Sequence, residues 1–202
     1  MTFSLNEVEV TSKKATRGAG YSWGLAEEAG KATRWLCARE LDGCGALVAL
    51  LTKTDGIANM QVTPDTHQTV WQTKGSFLCA VMTGCCVSDL AERDDLTFRF
   101  GPIIAPLLVL PFVATVARVR QCNMRVSWPG GSAVTDGEQI NLTGTIPDFV
   151  TDLQVEAGGV VTDVGQAQSR ALPDPAVWAR LHAFAHRTYA PATEESRRKG
   201  AG

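Results

Sequence analysis

Three features of the chain predict an α+β fold, in which a mostly antiparallel sheet is covered by an N-terminal helical hairpin and a C-terminal helix. Small and apolar residues recur at helical spacing through residues 1–53. From 76 to 165 the pattern changes to short apolar or alternating runs punctuated by Gly and Pro. Near the C-terminus Asp174-Pro175 opens a last amphipathic stretch, 174–189, where proline at the first helical position has no amide proton to leave unsatisfied.

The first helix is announced by Ser4 and Glu7, the two ends of a capping box, followed by a narrow stripe of Leu5, Val8, Ser12, Ala15 and Ala19. Gly18-Ala19-Gly20 breaks it. Ser22 is the expected N-cap of a second helix, with Leu25, Ala29, Ala32 and Leu36 as its inner stripe. After Leu41-Asp42-Gly43, the run Ala46 to Leu51 predicts a third, more buried helix. Residues 54–75 are polar and rich in turn signals, so they form a connector.

Beyond it, Phe77 to Val87 is continuously apolar and is expected as a buried strand, Leu96, Phe98 and Phe100 as an alternating one, and Phe112 to Val119 as a β-branched one. Cys122, Met124, Val126 and Trp128 alternate most clearly, with Pro129 to Ser132 as the turn that follows. Glu138 to Thr143, Phe149 to Val155 and Val160 to Thr162 complete the expected sheet. Val177, Leu181, Phe184 and Ala185 form the inner face of the last helix.

Apolar residues make up 45% and charged residues 20% of the 202, a balance that suits a folded domain and excludes extensive disorder. One domain, 1–188, with an extended tail, 190–202, is the expected organisation. The net charge is −2 and the one basic run is Arg197-Arg198-Lys199, so a nucleic-acid partner is not expected. Gly101 to Ala117 is apolar but broken by Pro102, Pro106 and Pro111 and shorter than the ~20 residues of a spanning helix. It reads as buried strand and loop, with no membrane partner. No cationic segment precedes an apolar one at the N-terminus, and a cytoplasmic location is expected. The six cysteines, Cys37, Cys44, Cys79, Cys85, Cys86 and Cys122, sit mostly in apolar runs and are expected as free thiols.

Both ends resemble an uncharacterised bacterial family known as domain of unknown function 3726. The resemblance is carried by Ser4-Leu5-Asn6-Glu7-Val8-Glu9, by the run from Arg17-Gly18-Ala19-Gly20 through Tyr21-Ser22-Trp23-Gly24 to Gly30, and by Arg187-Thr188-Tyr189-Ala190-Pro191-Ala192 with the residues after it. It implies no activity, cofactor or catalytic residue.

Candidate chemistry therefore comes from the residues alone. The Arg17 to Gly24 loop leads into a helix start, whose unpaired amides and dipole favour an anion, with Arg17 as counter-charge. Gly18, Gly20 and Gly24 miss the dinucleotide-binding spacing by one residue, and a serine-capped turn between helices competes with a ligand site here. Glu27 and Glu28 compete between acid–base work and complementing the helix dipole. His182 and His186, four apart, lack both the glutamate of a zinc helix motif and an evident third ligand, so no metal is expected. Cys85-Cys86 on a strand would point to opposite faces. The expected function is a small-molecule enzyme or binding protein with its site at Arg17, Gly18, Gly20, Tyr21, Ser22 and Glu28, a small anion as ligand and no cofactor. The alternative is a non-catalytic, homo-oligomeric assembly subunit.

Overall fold

Ser4 and Glu7 close the capping box as the spacing predicts. The Ser4 Oγ accepts from the Glu7 amide at 3.2 Å, and the Glu7 carboxylate accepts from the Ser4 amide at 2.7 Å. They start helix α1 (Leu5–Gly18), immediately after the two-residue strand β1 (Phe3–Ser4). A computed structural model describes residues 1–189, so the expected tail, 190–202, lies outside the described residues. Helix α2 (Trp23–Cys37) is capped by the Ser22 hydroxyl on the Leu25 amide, and α3 (Gly43–Thr54) by the Asp42 carboxylate on the Gly45 amide. The three helices at the N-terminal end thus form where capping residues and small-residue stripes place them.

The next helix overturns the sequence reading. Only Leu78–Cys79 of the expected Phe77 to Val87 strand is extended, as β2, and Ala80–Asp89 is helix α4. Strands β3 (Phe98–Phe100) and β4 (Ile103–Ile104) follow, then α5 (Leu110–Arg120) where a strand was expected over 112–119. Both misread runs are buried almost all round: Ala80, Val81, Met82, Thr83, Gly84 and Val87 in α4, and seven residues in α5. A helix buried on every side shows no 3.6-residue alternation for a sequence pattern to display. Cys85 and Cys86 therefore lie on a helix and not on a strand.

The main sheet contains β5 (Met124–Trp128), β6 (Gly131–Thr135), β7 (Ile140–Thr143), β9 (Leu153–Ala157) and β3 in the order β3-β9-β5-β6-β7, with every pair antiparallel. β6 begins inside the expected Pro129 to Ser132 turn, so the hairpin is tighter than predicted, whereas Val160 to Thr162 is not a strand. A smaller sheet joins β2 in parallel to β4, and β4 antiparallel to β8 (Phe149–Val150). Strand β10 (Arg170–Ala171) pairs with β1, and α6 (Pro175–His186) is capped by Asp174 through the Ala176 and Val177 amides.

The fold class is α+β, as expected. One hydrophobic cluster runs from Val8 on α1 to Ala185 on α6. Helix α5 touches β5 and β6 on the sheet and also α2 of the hairpin, and α6 packs on α1 and α3. The α3–α6 contact is tied at its edge by Arg187, which donates to the Asp55 carboxylate at 2.6 and 3.0 Å. No helix among the described residues is long and apolar enough to cross a membrane.

Candidate functional site

The loop singled out by the sequence is closed largely by its own atoms. The Gly20 amide donates to the Arg17 carbonyl and the Tyr21 amide to the Thr16 carbonyl, while Ser22 Oγ takes the Leu25 amide. The Arg17 guanidinium donates to the Tyr21 carbonyl at 2.9 Å and lies 5.4 Å from the centre of the Trp23 ring. Tyr21 is a core residue, 1% exposed, with its hydroxyl donating to Thr54 Oγ1 at 2.9 Å and lying 3.5 Å from Cys79 Sγ. Burial, first, and the neighbouring Cys79 hold its phenol above the ordinary range. Gly18 faces α6: a Cβ there would collide with the Phe184 carbonyl. Glu28 is paired with Lys31 at 2.9 Å.

Arg17, Gly18, Gly20, Tyr21 and Ser22 are thus near one another in space, but each has a partner that explains it without a ligand. Arg17→Ala is accordingly expected to lower the unfolding free energy by about 1 kcal/mol, the loss of one partly exposed charged hydrogen bond. The urea midpoint measures it, and an unchanged midpoint would show that the guanidinium is not a structural clamp.

The remaining candidates separate in the same way. Lys13 and Lys31 hold the Glu27 carboxyl below its usual range, the opposite of what a general acid needs. His182 meets Trp178 edge-on and His186 meets Tyr189, both on the exposed side of α6. Among the described residues no group of three His, Cys, Asp or Glu side chains is placed to hold a metal.

A different place gathers reactive groups. A cleft of about 390 Å³ lies between the α2–α3 turn and the segment through β10 into the α6 cap, with Cys37, Glu40, Asp42, Cys44, Arg170 and Asp174 on its walls. Its volume is that of a small-molecule site. A second cleft of about 360 Å³ by the connector offers only Asp65 and Lys74 as charged groups. The Asp65 carboxylate is already occupied by the His67 amide and the Gln68 side chain.

The local chain explains why the first cleft has this shape. Helix α2 ends at Cys37, Glu40 takes a left-handed conformation (φ 58°), and the Leu41 amide returns to the Leu36 carbonyl. Gly43 then lets α3 begin hard against α2, since a Cβ would sit 2.7 Å from the Thr33 carbonyl oxygen and 2.9 Å from the Leu36 Cβ. This close approach brings Cys44 in the first turn of α3 to Cys37 in the last turn of α2, with the two sulfurs 3.8 Å apart. The opposite wall is fixed by Arg170, which donates to the Thr2 carbonyl at 2.9 Å and to its hydroxyl at 3.1 Å.

The two thiols are not equivalent. Cys37 is held below the ordinary thiol range, first by its contact with the Cys44 sulfur and then by the nearby Cys44 and Gly43 amides, against the opposing effects of burial and Asp42. Cys44 is pushed up, first by its contact with the Cys37 sulfur and then by burial. Burial also raises the thiols of Cys79, Cys85 and Cys86, that of Cys85 to about 12. The pairing of Cys37 with Cys44 was not legible from cysteine spacing, because six residues and a change of helix separate them. A helix break ending in Asp42-Gly43 next to a cysteine was the available signal.

Residues 3–74 match the model of a protein family of unknown function, domain of unknown function 3726. The matched stretch contains α1, α2, α3 and both thiols; the C-terminal residues from Arg187 onward that resemble the family lie beyond it. No curated protein and no solved structure matches the chain.

Proposed function

We propose that the protein binds or transforms a small molecule, and that this molecule occupies the cleft between the α2–α3 turn and β10 in preference to the Arg17 to Gly24 loop. One observation carries the reading: a cavity of ligand size whose walls combine three carboxylates, a guanidinium and a thiol pair. Glu40, Asp42 and Asp174 outnumber Arg170, and Asp42 and Asp174 are fixed in place because each caps a helix. A cationic group on the ligand is therefore favoured over the anion suggested by the helix start at Ser22.

The test is a thermal-shift panel of small amines, amino acids, carboxylates and phosphates on the full chain, repeated with Glu40→Gln. Glu40 is exposed and caps no helix, so this change removes a cleft charge with little effect on the fold. An amine-bearing compound at about 100 times its Kd is expected to add about 2.7 kcal/mol of apparent stability. Glu40→Gln should weaken that compound severalfold. Stabilisation by anions alone, insensitive to Glu40→Gln but lost in Arg17→Ala, would return the site to the helix start. A concentration-dependent mass with no compound stabilising either protein would favour the assembly subunit.

A further inference from the structure

The cleft has a floor that ligand binding alone does not require. Two sulfurs from different helices lie 3.8 Å apart; both residues line the cleft, with Cys37 7% exposed and Cys44 fully buried. A disulfide needs about 2.05 Å between sulfurs, so closure asks for a side-chain movement of about 1.8 Å. Cys44 stands in the first turn of α3, so the positive end of that helix lies beside the sulfur pair. Asp42, whose negative charge opposes the thiolate, is turned to the Gly45 amide by its capping bond at 2.8 Å.

We propose that Cys37 and Cys44 form a peroxide-reactive dithiol, with Cys37 as the nucleophile reached through the cleft and Cys44 as the resolving thiol. In the first step the Cys37 thiolate attacks one oxygen of hydrogen peroxide. A sulfur–oxygen bond forms, the oxygen–oxygen bond breaks, and hydroxide leaves and takes up the proton that Cys37 had released. In the second step the Cys44 sulfur attacks the sulfenic sulfur. The sulfur–sulfur bond forms, the sulfur–oxygen bond breaks, and the departing hydroxide leaves as water with the Cys44 proton. One peroxide is reduced to two waters while two thiols become one disulfide, and a small dithiol such as dithiothreitol reverses the second product.

The proposal rests on the cleft reading only for access of the oxidant. It has a convenient readout, because Arg39 separates the two cysteines into the tryptic peptides 35–39 and 40–53. The folded, reduced chain is treated with a few equivalents of hydrogen peroxide, denatured in iodoacetamide, digested and mapped. The expected result is a linked 35–39/40–53 pair, two fewer alkylated cysteines than the six of the reduced chain, and full recovery after dithiothreitol. In Cys44→Ser, dimedone should label Cys37, and in Cys37→Ser neither the link nor a label on Cys44 should form. Near-ultraviolet circular dichroism of both variants establishes that they fold, and the wild-type map decides the matter if either does not. Persistence of both thiols while other cysteines oxidise, or a link that excludes Cys37, would overturn the proposal. Amine binding with an inert Cys37 removes this proposal and leaves the cleft reading standing; a 37–44 link without any ligand in the panel does the reverse.

Discussion

Replacing Phe184 by alanine is expected to destabilise the protein by about 3–5 kcal/mol, the range for emptying a buried aromatic site. The ring is fully buried on α6, at the helix that packs on α1 and α3, with the Arg180 and Arg187 guanidinium groups 4.8 and 4.6 Å from its centre. The loss has two parts, the transfer of the ring to water and the cavity left among helices that cannot collapse together freely. Urea unfolding followed by circular dichroism measures it. Phe149→Ala, at a ring 44% exposed, is the control and should cost far less. A Phe184→Ala loss below about 1 kcal/mol would mean that α6 is not packed as described.

Gly18→Ala should destabilise by about 2 kcal/mol or more through overpacking, although alanine is the better helix former by about 1 kcal/mol. The added methyl would meet the Phe184 carbonyl oxygen, with the carbonyl carbon at 2.9 Å and the Arg187 Cβ at 3.3 Å. Backbone cannot swing aside as a flexible side chain can, so α1 and α6 must separate. The sign decides between readings: a stabilised Gly18→Ala protein would show an open helix end, and a destabilised one a packing glycine.

How much of this was readable beforehand depended on whether an element has a wet side. α1, α2 and α6 each expose one face, and Ser4, Ser22 and Asp174 mark their starts, so periodicity and caps located them. β5 alternates Met124, Val126 and Trp128 inward against Arg125 outward, and it too was legible. α4 and α5 have almost no wet side, and an uninterrupted apolar run of that length is ambiguous between helix and strand. Pro111 in the first turn of α5 and Arg118 and Arg120 in its last were the signals that favoured a helix.

The candidate site was less legible than the fold. Glycines and an arginine at a helix start suggest a ligand, and in the structure they serve a tight turn: Gly18 for α6, Arg17 for the Tyr21 carbonyl, Tyr21 for the core. The cleft groups come from 37–44 and 168–174, segments far apart in the chain. Only the folded topology brings them together, so no local pattern could have announced them.

The pairing of Phe3 and Ser4 with Ala171 and Arg170, backed by Phe3 stacked on Trp178 at 4.0 Å, also orders events in time. During synthesis the α2–α3 turn and its two sulfurs leave the ribosome well before the wall that faces them. A nascent chain that ends before about residue 170 therefore carries both thiols without the wall that encloses them, and the cleft is complete only once β10 has emerged to pair with β1.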